Sequence, residues 1–77
     1  MNYIITFYSH FGAVRYKKLC DGAGIAARMM PVPRTLSSSC GTCVRCREEY
    51  LPAEGHEEIE QILEEDGGRV LYQAENR

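Results

Sequence analysis

Gly55-His56-Glu57-Glu58-Ile59-Glu60-Gln61-Ile62-Leu63-Glu64-Glu65-Asp66 is the stretch on which the fold class turns. Ile59, Ile62 and Leu63 recur at the i, i+3, i+4 spacing of one helical face, with glutamates between them. The spacing predicts a helix from about Gly55 to Asp66, with the acidic run as its solvated side. Gly67-Gly68 then ends that helix, and Val70-Leu71-Tyr72 supplies a short last strand.

Working back from there, Leu51-Pro52 is a connection, and Thr42 to Arg47 reads as a strand. A period of two places Thr42, Val44 and Cys46 on one of its faces and Cys43, Arg45 and Arg47 on the other. Ile25 to Met30 suits an earlier strand, which Pro31 and Pro33 close because neither can donate to an inner ladder. The polar stretch from Pro31 to Ser39 is then an ordered loop leading into Cys40-Gly41. From His10 to about Gly22 the pattern is helical, with Ala13, Tyr16, Leu19, Cys20 and Ala23 on one face. Ser9 is its N-cap, and Gly22 and Gly24 supply the positive φ angles that stop it. Tyr3-Ile4-Ile5-Thr6-Phe7-Tyr8 opens the chain as a strand buried on both faces. The order βαββαβ is that of an α+β, ferredoxin-like split βαβ domain, an antiparallel sheet with two helices on one face.

At 77 residues and 8.7 kDa the chain forms one domain, residues 1–77. Hydrophobic residues at 44% are too many for disorder. A net charge of -2 argues against binding nucleic acid through its phosphates. The apolar runs are too short for a membrane span, and Met-Asn-Tyr-Ile-Ile-Thr is not a secretion signal, so a cytoplasmic protein is expected.

Cysteine in a reducing compartment is more often reactive or metal-bound than bridged. Cys20 stands alone, and its simplest reading is a small core residue of the first helix. Cys40, Cys43 and Cys46 crowd together as C-x-x-C-x-x-C, and three chemistries compete for them. One is nucleophilic sulfur chemistry at Cys40: Arg34 and Arg45 lie near in sequence, and a turn through Ser38-Ser39-Cys40-Gly41 would aim N–H groups and hydroxyls at the sulfur. Gly41 would let a partner come close. Another is metal binding, as zinc or an iron–sulfur cluster, by Cys40, Cys43 and Cys46. The ferredoxin spacing then needs a ligand at position 50, which is Tyr50, so Cys20, His10 or His56 would have to substitute. The last is thiol–disulfide exchange between Cys40 and Cys43, although such a motif normally opens a helix and this one enters a strand. Cys46 is most simply a packed residue, and both histidines read as capping or surface groups. Under oxidation, a Cys40–Cys43 bridge is expected more readily than a Cys43–Cys46 one, whose partners would face opposite ways.

Pro31-Val32-Pro33-Arg34, then Leu36-Ser37-Ser38-Ser39-Cys40-Gly41 and Arg45, resembles the signature of a small bacterial family of selenium/sulfur carrier-like proteins. The opening Tyr-Ile-Ile-Thr-Phe-Tyr-Ser and Gly-Ile-Ala-Ala-Arg are similar to it too. The resemblance implies a compact α/β domain carrying sulfur or selenium on Cys40 as a persulfide or perselenide. It points to a carrier rather than a stand-alone enzyme. A cysteine desulfurase or selenocysteine lyase-type donor would load it, and an acceptor enzyme would unload it. Arg34 and Arg45 would stabilise the anion, Ser38 and Ser39 would donate hydrogen bonds to it, and Cys43 would be a resolving thiol. The chain departs from the family pattern at Cys43 and Cys46, where relatives carry apolar or small residues. A homodimer through the sheet is compatible with this reading.

Overall fold

The computed structural model describes residues 2–52 and 55–74. Its strands are β1 (Tyr3–Phe7), β2 (Ala27–Pro31), β3 (Thr42–Cys46), β4 (Ile59–Glu64) and β5 (Val70–Gln73), and its α-helix is α1 (His10–Ala23). They form a sheet in the order β2-β3-β1-β4-β5, antiparallel at every seam. β1 is the central strand, which is why its β-branched and aromatic run is buried from Ile4 to Phe7.

The second helix is not there, and the ferredoxin-like arrangement is corrected accordingly. The described residues form an α+β fold with one α-helix and a five-stranded antiparallel sheet. The segment that reads as helix makes one 3-10 turn, His56–Glu58, and then enters β4. The misreading has a physical origin. Phe7 pairs with Ile59 but Thr6 pairs with Gln61, so Glu60 is an extra residue bulged out of the ladder. A strand has a side-chain period of two, and one inserted residue turns that into three. Ile59 and Ile62 therefore share the face turned towards α1, whereas Leu63 packs on the other face. Gly67 and Gly68, read as a helix stop, lie with positive φ in the turn joining β4 to β5.

α1 forms where its sequence places it. The Ser9 hydroxyl accepts the Gly12 N–H at 3.2 Å, and Gly24, at φ 75°, ends the helix in the left-handed region. Gly22 and Ala23 differ from expectation: both lie inside the helix, and both are exposed. Ala13, Tyr16 and Cys20 cover Ile5, Phe7, Val44, Cys46, Ile59 and Ile62. Tyr50 packs against this core, and the Tyr16 hydroxyl donates to the Tyr50 carbonyl at 2.6 Å. The other face of the sheet is covered as well. Met30, Val32 and Leu36 pack over Ile4, Cys43 and Leu63, so the proline-bearing loop is ordered, as its composition predicts.

Candidate functional site

Cys40 lies between the loop and the start of β3. Val32 N–H donates to the Gly41 carbonyl at 3.0 Å, pinning the two ends of the loop together. The Thr42 N–H points at the Cys40 sulfur, 3.4 Å away. Gly41 is exposed and has no neighbour within 4 Å of where a Cβ would stand, so the backbone next to Cys40 is open to an approaching group. Cys40 is half-buried; Cys20, Cys43 and Cys46 are buried completely.

The four thiols separate by face. Cys46 and Cys20 sit together in the core beneath α1, as the reading of both as packed residues anticipates. Burial and the neighbouring Cys46 push the Cys20 thiol up to about 12, and burial also raises Tyr16, with Cys20 and Cys46 adding to it. Cys43 faces the opposite layer, as the period of two predicts, and its thiol lies 3.7 Å from the Pro31 carbonyl. Burial, and then the nearby Cys40, push Cys43 up to about 11. A sheet thus stands between Cys43 and the Cys46–Cys20 pair, and the donors of the metal alternative diverge. Among the described residues no group of three or more His, Cys, Asp or Glu side chains converges to hold a metal ion.

The supporting residues are arranged differently from the sequence expectation. Ser38 and Ser39 do not turn their hydroxyls to the thiol. Both donate to Glu60, Ser38 to Oε1 at 2.9 Å and Ser39 to Oε2 at 2.8 Å. Arg45 is drawn away to Glu65: its Nη2 donates to Oε1 at 2.9 Å, while Nε lies 2.9 Å from Oε2 but off the hydrogen-bonding line. That pair holds the guanidinium above its usual range and the carboxyl below its own, each chiefly through the hydrogen bond between them. Arg34 sits exposed in the turn closed by Leu36 N–H and the Pro33 carbonyl.

Two contacts near Cys40 escaped the sequence. His10 reaches across from the first turn of α1, with Nδ1 3.1 Å from the Thr42 hydroxyl, which places an imidazole beside the residue that binds the Cys40 sulfur. In the sequence Glu60 is one glutamate among several on an expected helix face, and only the bulge reveals its direction. His56 lies exposed in the 3-10 turn.

Accessibility gives a direct test. Brief treatment with iodoacetamide at neutral pH is expected to label Cys40 first, with Cys20, Cys43 and Cys46 labelled only after denaturation. Preferential labelling of Cys20 or Cys46 would contradict these placements.

A small α+β domain presenting one partly exposed loop cysteine is the class of protein that fold and site define. Residues 2–73 match the model of the family described as "Putative Se/S carrier protein-like", and the chain belongs to that family. It is also similar to the "Uncharacterized protein YtiA" of Escherichia coli (strain K12), 28% identical over 61 residues, which cover 79% of this chain and 66% of that protein. No solved structure matches the chain. No helix among the described residues is long and apolar enough to cross a membrane.

Proposed function

We propose that the protein carries sulfur, or selenium, on Cys40. One observation carries the reading beside the family membership: of the four thiols, Cys40 alone is not fully buried, and its sulfur meets a backbone N–H next to the exposed Gly41. A sulfur bearing negative charge is favoured by such a donor.

The transfer needs no cofactor on this chain. The Cys40 thiolate attacks the outer sulfur of a donor persulfide, R–S–SH. The donor S–S bond breaks, R–S⁻ leaves, and Cys40 becomes Cys40–S–SH, with no net oxidation. A cysteine desulfurase or selenocysteine lyase-type enzyme is the proposed donor and a second cytoplasmic enzyme the acceptor. The chain acts as a carrier between them. Cys43 is the proposed resolving thiol: attack on Cys40–S–SH gives a Cys40–Cys43 disulfide and H₂S, which ends carriage until an external thiol reduces the bridge.

The mass of the intact protein tests this reading. Protein isolated without reductant is expected to carry about 32 Da of added sulfur or about 80 Da of selenium, lost on treatment with a reducing thiol. A metal retained under native conditions and lost on denaturation would favour the metal reading instead.

A further inference from the structure

We propose that Glu60 is a positioning residue for Cys40, a carboxylate latch that fixes the loop so that the thiol meets a sulfur donor in one orientation. The inference rests on the reading of Cys40 as the accepting thiol and adds a part to it.

The bulge in β4 is the structural cause. A residue in register would continue the alternation of the strand, but Glu60 is the extra residue between the Phe7–Ile59 and Thr6–Gln61 pairs, and it is turned towards the loop. Three donors converge on its two oxygens: the Ser38 hydroxyl at 2.9 Å, the Ser39 hydroxyl at 2.8 Å and the Ser39 N–H at 3.4 Å. A carboxylate accepts only, and it has room for all three. The Ser38 oxygen in turn accepts the Cys40 N–H at 3.3 Å. A continuous chain therefore runs from the Cys40 amide through the Ser38 hydroxyl to a charged acceptor, and each bond polarises the next. With the Cys40 N–H held on this side and its sulfur facing the Thr42 N–H on the other, the residue is fixed at both ends. Glu60 also borders a polar trough of about 510 Å³ formed with Tyr8, Ser39, Gln61 and Gln73, which begins one residue from the thiol.

Glu60→Ala, Glu60→Gln, Ser38→Ala and the Glu60→Ala/Ser38→Ala double variant test the latch. Sulfur acceptance is measured with glutathione persulfide, bare thiol reactivity with iodoacetamide, and order by hydrogen exchange at the Cys40 amide. Glu60→Ala is expected to speed that exchange about tenfold and to slow sulfur acceptance by about tenfold or more, since small misplacements of reacting groups are costly. Its melting temperature should stay close to that of the wild type. Glu60→Gln should recover most of the rate, because its amide oxygen still accepts and the Ser39 hydroxyl can turn to receive its N–H. The double variant should be no slower than Glu60→Ala, as both changes break one chain. Wild-type exchange and acceptance rates in Glu60→Ala, or independent multiplying effects in the double variant, would overturn the proposal. Should the wild type take no sulfur from the persulfide, the carrier reading fails, and the exchange and iodoacetamide arms still decide whether Glu60 positions the thiol.

Discussion

Cys40→Ala is expected to abolish sulfur acceptance while leaving the fold almost unchanged. The side chain is partly exposed and belongs to neither core cluster, so its removal opens no cavity. The stability change should stay within about 0.5 kcal/mol, the usual range for substitutions away from the core. The loop keeps its attachments, because the bonds from Ser38 and Ser39 to Glu60 and from Val32 N–H to the Gly41 carbonyl do not involve the sulfur. Thermal melts beside a sulfur-transfer assay separate the two effects. Cys20→Ala is the control, since it empties space in the core beneath α1. Transfer that survives in Cys40→Ala would remove the site from this loop.

Phe7→Ala should produce the largest loss of stability. Phe7 is fully buried, its ring centroid lies 5.3 Å from that of Tyr16, and it pairs with Ile59 beside the bulge that aims Glu60. Truncating a buried aromatic costs about 3–5 kcal/mol through lost transfer energy and the cavity left behind. A small domain has only about 5–15 kcal/mol in total. The expected result is a urea midpoint far below that of the wild type at an unchanged slope, the mark of lost stability without a change in the unfolded chain. A cost under about 1 kcal/mol would mean that α1 does not pack on the sheet as described.

Part of this arrangement could be read from the chain because the relevant signals are local. The helix from His10 persists for several turns behind an N-cap serine, and the alternation of β3 assigns Cys43 and Cys46 to opposite faces without further information. The final third could not be read this way. Ile59, Ile62 and Leu63 have helical spacing only because one residue is inserted in a strand, and a bulge is fixed by pairing with β1 far away in sequence. The one local hint was Gly67-Gly68 before Val70-Leu71-Tyr72, which serves a hairpin turn as well as a helix stop. Once β4 is taken for a helix, Glu60 becomes one solvated acid among many and its grip on Ser38 and Ser39 disappears from view. Arg45 departs from expectation for a related reason. Closeness in sequence to Cys40 is not closeness in space when a strand rises about 3.3 Å per residue, and the guanidinium ends beside Glu65. His10 and Thr42 meet across two elements, a contact that no spacing rule announces.

The most direct test of the central claim is the location of the transferred atom. Wild-type protein exposed to a persulfide donor, capped with an alkylating agent that preserves persulfides and digested without reductant, should show the added sulfur on the peptide containing Cys40. Reduction should remove it. An added sulfur found instead on Cys20 or Cys46, or none on Cys40 in folded protein, would contradict the account.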